Sequence, residues 1–531
     1  MLEQSGRDKL LGDLRLVTTR LQRGLGAKSA TGDSKPQMYK LGLILAVLGI
    51  TSAGCSDILG IEDITYQEPA PVDPCFDPEG FQGLGCFRSD GDCKLTKEQI
   101  PNACTDSPCM PFDNKIRLGL SAADDLPDVL DNTPIMFDSP DPSPFPACPS
   151  PSPTNPVVVV VGSNAIKPIV DYVSTELSRN ENPVTVLFQG QSSCTGAAAI
   201  LRNLAVKEEF TYWTYDMNGT PQENHCTLAE QQADIGVSDV FATTCGPDMA
   251  SVNATETLGP IQAMIFAAPR ASTEKSISAE AARLVYGYEG SFNNGQFTSP
   301  PWTKPAHIQS RNAASGTQNL IGKFIGVPST TFKGHQNGST GAMIASLTDP
   351  TLTDPNATIG LLDVVNGDKH STEIRVLAFQ AEGQHCAFQP NASEGSLDRR
   401  NVRDGHYVLW GPLHIFTGPN VSPEASTVVK YLSLEKAPPL SGQTEAQSMI
   451  ALLGATVRGR LVPACAMRVQ RSSEGGPLST LIPQNTCGCR FEAEAGLDVS
   501  LACKPCTLET EEADCTSPDA PKCNFGYCEQ Q

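Results

Sequence analysis

The stretch Val157-Val158-Val159-Val160-Val161-Gly162-Ser163-Asn164-Ala165-Ile166-Lys167-Pro168 decides the fold. An unbroken β-branched run fits a strand buried on both faces, as in a sheet covered by helices. Gly162-Ser163-Asn164 is a turn signal, and Ile166, Ile169, Val170, Val173 and Leu177 then recur at helical spacing. Strand, loop and amphipathic helix follow one another directly.

The alternation continues outward from this unit. A second strand is expected at 184–188, then the loop Gly190-Gln191-Ser192-Ser193-Cys194-Thr195-Gly196 and an alanine-rich helix from Ala197. A short strand at 235–237 ends in Ser238-Asp239. Further strands are expected at 261–266, 307–309, 359–364, 374–379 and 407–416, with helices at 279–286, 316–325 and 444–453. Such alternation implies an α/β architecture with largely parallel sheets. The span 156–470 is long for one sheet, so two lobes are expected: lobe I at about 156–258 and 400–470, lobe II at about 259–399.

The flanks differ in character. Residues 55–155 lack apolar periodicity, hold seven cysteines and end at 139–156 with eight prolines, a composition that favours an extended spacer or stalk. Residues 471–531 hold seven more cysteines and are read as a disulfide-stapled tail. A tetrathiolate zinc site over Cys487, Cys489, Cys503 and Cys506 is the alternative, but its spacings are loose and the remaining cysteines would be orphaned. No metal and no cofactor are expected.

The whole chain has 531 residues, 39% apolar, with a formal net charge of -21 and 19 cysteines. It is long enough for a substantial core, and its acidity excludes a partner that binds through a long polyanion such as nucleic acid. The cysteine count points to an oxidising compartment.

The odd cysteine is explained near the N-terminus. Met38-Tyr39-Lys40 precedes the apolar run 41–50 and then Thr51-Ser52-Ala53-Gly54-Cys55. A basic start, a run too short to span a bilayer and small residues before a cleavage point make residues 38–54 a signal peptide. Residues 1–37, with seven Lys/Arg against four Asp/Glu, are read as a mis-annotated extension before the true initiator Met38. Ser52-Ala53-Gly54-Cys55 resembles a bacterial lipobox, although leucine is commoner at the Ser52 position. That resemblance implies lipidation at Cys55 and leaves an even set of cysteines for disulfides. Ser56 is not the aspartate associated with inner-membrane retention, so an outer-membrane or cell-surface location is expected over the inner membrane.

Four strand-to-helix junctions carry small hydroxyl or amide residues, where helix N-termini point free N–H groups outward and favour an anion. They are 162–166, 191–194, 237–239 and 311–317. Their order resembles the phosphate-binding proteins of bacterial ABC phosphate transporters, which are type 2 periplasmic solute-binding proteins. The matching segments are Gly162-Ser163-Asn164-Ala165-Ile166-Lys167-Pro168, Gln189-Gly190-Gln191-Ser192-Ser193, Asp234-Ile235-Gly236-Val237-Ser238-Asp239 and Arg311-Asn312-Ala313-Ala314-Ser315-Gly316-Thr317. Ala357-Thr358-Ile359-Gly360 and Tyr407-Val408-Leu409-Trp410-Gly411-Pro412-Leu413 echo later family segments.

The resemblance implies a two-lobed fold with phosphate, or a related oxyanion, in an interlobe cleft, and an ABC permease as partner of a monomeric, lipid-anchored receptor. The implied ligand set is the backbone N–H groups of Ala165 and Ile166, the Ser193 hydroxyl, Ser315 with the N–H groups of Gly316 and Thr317, Arg311 as a bidentate fork, and Asp239 as acceptor of the phosphate proton. Two positions depart from the family. Ala165 replaces a threonine, with Asn164 beside it as substitute donor, and Ala313 stands where an acidic residue is usual. Cys194 is expected to pair with Cys226 or Cys245, which would stiffen the second loop.

No catalytic function is expected. The seven histidines are scattered, and no Gly-x-Ser-x-Gly elbow, metal-binding histidine pair or Walker loop is present. The alternative to a receptor is a cell-surface structural or adhesion lipoprotein that keeps the fold without anion affinity.

Overall fold

The computed structural model describes residues 73–529 except 122–124, 132, 138–141, 153, 252, 352, 436–437 and 498–502. The extension, the signal segment and Cys55 lie outside the described residues.

The valine run forms β1 (Val157–Ser163), whose interior valines are buried on both faces. Helix α1 (Lys167–Leu177) lays Ile169, Val170, Val173 and Leu177 into the core beneath it. Strand β2 (Thr185–Gln191) pairs parallel with β1. Helix α2 (Ser193–Leu201) begins earlier than the expected Ala197, because the Ser192 hydroxyl accepts from the Thr195 N–H at 3.2 Å and caps it. An antiparallel hairpin that the sequence alternation does not announce follows, β3 (Val206–Tyr215) and β4 (Pro221–Gln231), and then β5 (Ile235–Ser238), parallel to β1.

Helix α2 packs on β1 and β5 at backbone distance. A Cβ on Gly162 (φ +130°) or on Gly196 would lie 2.0 or 2.1 Å from the Val237 carbonyl oxygen, so both positions require glycine.

Strand β6 (Thr255–Pro269) leads out of this lobe. The second lobe comprises β7 (Ser276–Ser278), α3 (Ala279–Tyr288), β8 (Gln309–Arg311), α4 (Gly316–Ile325), β9 (His335–Asn337), α5 (Thr340–Leu347), β10 (Gly360–Asp363), α6 (Val364–Lys369) and β11 (Ile374–Gln380). The chain returns through β12 (Trp410–Thr417) to α7 (Pro423–Leu432) and α8 (Glu445–Arg458).

The ten-stranded sheet runs β4-β3-β2-β1-β5-β12-β6-β11-β7, with β10 also on β6. It is α/β, as expected, but mixed rather than largely parallel. Only β1/β2, β1/β5 and β7/β11 pair parallel in it, while β12, β10 and β11 all meet β6 antiparallel. The reason is non-local: β6 leaves lobe I and β12 comes back into it, so the two crossing strands must run in opposite directions. Strand β6 pairs with β12 over 255–263 and with β10 and β11 over 264–269. At the crossing the Met264 N–H donates to the Leu409 carbonyl at 2.8 Å.

The segment expected to project as a stalk instead lies against both lobes over its described residues. Cys109 is bonded to Cys386 of lobe II and Cys148 to Cys226 of lobe I. Between them Asn114 accepts from Ser278 at 2.6 Å and Arg117 pairs with Glu274 at 2.8 Å. The proline-rich end runs beside the edge strand β4, where the Pro146 carbonyl accepts from the Thr227 N–H and the Cys148 N–H donates to the Thr227 carbonyl. Extended proline-rich backbone suits an edge, since the missing N–H groups can face outward.

All cysteines of the described residues pair, in nine disulfides, including Cys194–Cys245 and the tail bridges Cys465–Cys487, Cys489–Cys503, Cys506–Cys523 and Cys515–Cys528. No described helix is long and apolar enough to cross a membrane.

Cys109–Cys386 closes a loop of 277 residues, so its loss frees much unfolded-state entropy. The double variant Cys109→Ser/Cys386→Ser is expected to lose about 2–4 kcal/mol in guanidinium unfolding. An unchanged midpoint and slope would show that this staple contributes nothing.

Candidate ligand-binding cleft

The ends of β1, β2 and β5 bring three side chains together inside lobe I. Asp239, just beyond β5, is 6% exposed. Its Oδ1 accepts from the Ser163 hydroxyl at 2.5 Å and its Oδ2 from the Ser193 hydroxyl at 2.8 Å. Burial is the largest influence on this carboxyl and raises it above the ordinary aspartate value, while the two serine hydrogen bonds pull it back down. Each carboxylate oxygen keeps further acceptor capacity.

Lobe II supplies the opposing wall through 311–317. Helix α4 shapes this loop with its own side chains: the Gln318 amide oxygen accepts from the Arg311 N–H at 2.8 Å, and the Asn319 amide donates to the Ala313 and Ser315 carbonyls at 2.6 and 2.9 Å. Arg311 is thereby aimed into the cleft, where Nη1 donates to the Thr340 hydroxyl at 3.0 Å and Nε has no hydrogen-bond partner. Burial pushes this guanidinium below its ordinary value and Asp363 and Asp239 raise it again, but an arginine this basic stays charged. Ser315 occupies the N-cap of α4 without using its hydroxyl as a cap, which leaves that group for the cleft.

The lobes are in contact across the gap. The Cys194 N–H of α2 donates to the Ala314 carbonyl at 3.3 Å. A Cβ on Gly316 would sit 2.0 Å from Ser193 Oγ and 2.6 Å from Asp239 Oδ2, so only glycine lets the walls approach this far. The half-open cavity between them measures about 440 Å³. The N-termini of α2, α4 and α5 open onto it, each contributing partial positive charge.

Asn164, Ala165, Ser193, Asp239, Arg311, Ser315, Gly316 and Thr317 all line this one cavity. Ile166 does not: it is fully buried in the core under α1. The Ala165 N–H, expected to face a ligand, is taken by the Ser163 hydroxyl at 3.1 Å. Ala313 is absent from the lining, and a second carboxylate is supplied by Asp363 at the end of β10. Asp363, Gln262, Asn312 and Thr340 are lining residues that the sequence reading missed. Asp363 carried a signal, as a polar residue closing an apolar strand and opening a helix, the same pattern as Asp239, and Asn312 lies inside the 311–317 junction. Cys194 pairs with Cys245, one of the two expected partners, and ties the first turn of α2 to the segment after β5.

No protein-family model matches the chain, and no curated protein matches it. Among solved structures, an ABC-type phosphate transport receptor from Vibrio cholerae aligns at 13% identity and TM-score 0.36, over 57% of this chain and 99% of its own. PstS from Borrelia burgdorferi aligns at 14% identity and TM-score 0.31, over 58% and 98%. The CcmR regulatory domain of Synechocystis, in complex with 2-PG, aligns at 9% identity and TM-score 0.30, over 52% and 95%. The chain resembles phosphate ABC transporter substrate-binding proteins in structure. At these scores the chemistry of the cleft rests on its own residues.

A raised aspartate is a cost to folding in its ionised form. The folded state holds the Asp239 proton more tightly than the unfolded chain, so its favourable contribution is complete below the unfolded carboxyl range and is lost as pH rises through the folded value. Asp239→Asn is therefore expected to raise unfolding stability at pH 7. The gain should shrink on acidification. Calorimetry at pH 7 and pH 4 checks this, and a destabilised variant at pH 7 would refute it.

Proposed function

We propose that the protein is an extracytoplasmic solute-binding protein that captures phosphate, or a related oxyanion, between its lobes for ABC-type uptake or sensing. The observation that carries this reading is the convergence of Arg311, the Ser193 and Ser315 hydroxyls and three helix N-termini on one cleft between the lobes. A desolvated anion needs many donors and a strong counter-charge, and the cavity offers both. Asp239 adds discrimination. Hydrogen phosphate carries a proton that the carboxylate accepts, whereas sulfate at neutral pH has none and meets a like charge. We read the protein as a binding protein rather than an enzyme. The lipobox-like sequence supports an N-terminal lipid on Cys55, with the outer membrane favoured, and a permease is the natural recipient of the ligand. A surface protein that had abandoned anion binding would have no use for an arginine and a carboxylate buried in the same cleft.

Isothermal titration on protein unfolded in guanidinium without reductant, dialysed free of ligand and refolded should show phosphate binding that excess sulfate does not displace. Arg311→Ala is expected to abolish it. Binding that sulfate displaces, or none at all, would count against the reading.

Gly316→Ala tests closure separately. Alanine suits the first turn of a helix, yet its Cβ meets Ser193 and Asp239. Phosphate affinity should fall about 100-fold, equivalent to about 2.7 kcal/mol, with the melting temperature retained. Unaltered affinity would mean that the lobes need not approach this closely.

A further inference from the structure

We propose that Asp363 is a second proton acceptor in the cleft, and that the site takes its oxyanion in the singly charged, doubly protonated form: dihydrogen phosphate rather than hydrogen phosphate. This rests on the anion reading of the cleft and concerns the charge state of what it holds. Among the described residues that line the cleft, three side chains are ionisable: Asp239 on lobe I, and Arg311 and Asp363 on lobe II. Arg311 cancels neither carboxylate by contact. Its Nη1 donates to the Thr340 hydroxyl, and it forms no ion pair among the described residues. Both carboxylates act on it through space, Asp363 more than Asp239, and Asp363 also acts on Asp239 as a like charge.

Asp363 is fixed in place and still has capacity for a ligand. It caps α6, with Oδ1 accepting from the Asn366 N–H and from the Asn366 amide at 2.9 Å each, while the same amide donates to Oδ2 at 2.8 Å. A carboxylate offers about four acceptor positions, so Oδ2 keeps one. The residue is half-buried at the cleft wall. The other charged group acting on Asp239 is His414 of β12, whose Nδ1 bonds to Glu256 of β6, and neither of these lines the cleft. Hydrogen phosphate brings one proton, which Asp239 takes, and Asp363 would then face a bare anionic oxygen. That is the like-charge contact that rejects sulfate. Dihydrogen phosphate brings one donor to each carboxylate, and its two remaining oxygens are left for Arg311, the serine hydroxyls and the helix N-termini.

Titration of the refolded, ligand-free full chain with inorganic phosphate between pH 6.5 and pH 8.5 tests the proposal. Apparent affinity for total phosphate should fall about tenfold for each pH unit above phosphate's second ionisation, because the doubly protonated fraction falls by that factor. Calorimetry at pH 8.5 in buffers of different ionisation enthalpy should show about one proton taken up per phosphate bound. Asp363→Asn keeps a good cap for α6; it should remove both the fall in affinity and the proton uptake. If wild-type affinity holds or rises with pH, or if Asp363→Asn retains the wild-type profile, this inference is overturned while the anion reading stands. If phosphate binds at no pH, both fall.

Discussion

A carboxylate cannot be buried without hydrogen bonds, and the way Asp239 meets that requirement sets much of the surrounding geometry. Its two oxygens are held by hydroxyls from the end of β1 and the start of α2, so the tips of the strands that form the floor of lobe I are tied to one another through a single side chain. Close packing of α2 through Gly162 and Gly196 brings Ser193 within reach. Lobe II must then fit over this arrangement, and it does so with Gly316, the residue that adds no side chain of its own. The same acceptor that organises the floor is placed to discriminate between protonated and unprotonated oxyanions.

Closure also depends on how the lobes are joined. Strand β6 belongs to both, so a movement of one lobe is transmitted to the other at Met264 and Leu409. The tail covers this crossing. Arg471 donates to the Val408 carbonyl at 3.0 Å and lies 4.2 Å from the centre of the Trp410 ring and 4.9 Å from that of Phe324 on α4. Burial pushes its guanidinium down to about 9, and a desolvated stack of this kind is worth about 2 kcal/mol. Glu474 accepts from the Phe241 N–H at 3.0 Å, close to Asp239 in sequence. The N-terminal strap acts differently. Residues 110–147 could extend to roughly 120 Å at about 3.3 Å per residue, so the covalent tether alone does not limit opening.

How much of this was legible follows from which signals are local. The burial of β1 on both faces and the periodicity of α1 are written in consecutive residues, and both were read correctly. Strand direction in the sheet is not local, and the expectation of a largely parallel sheet failed there. The β3–β4 hairpin was missed because it is an edge element with half-exposed faces and an irregular register between Val206 and Glu208, where Glu208 takes φ +72°. The proline-rich segment reads as a spacer because side chains do not report backbone pairing. In the cleft, Ser193, Asp239, Arg311 and Ser315 stood at strand-to-helix junctions, where polar residues attract notice. Gln262 lies within a strand among apolar neighbours and reads as core, and Thr340 and Asn312 acquire meaning only once the lobes meet.

The acidity of the chain is compatible with an anionic ligand because the two act over different distances. A formal charge of -21 repels a free anion in bulk, but at physiological ionic strength that field is screened beyond about 8 Å. Inside the cleft the ligand is surrounded by fixed dipoles and one guanidinium at contact distance, where screening is weak. The surface charge therefore slows encounter and leaves the bound state largely untouched. A long polyanion could not escape the same field, because most of its charge would remain outside the cavity. The composition thus limits the size of the anion rather than excluding anions altogether.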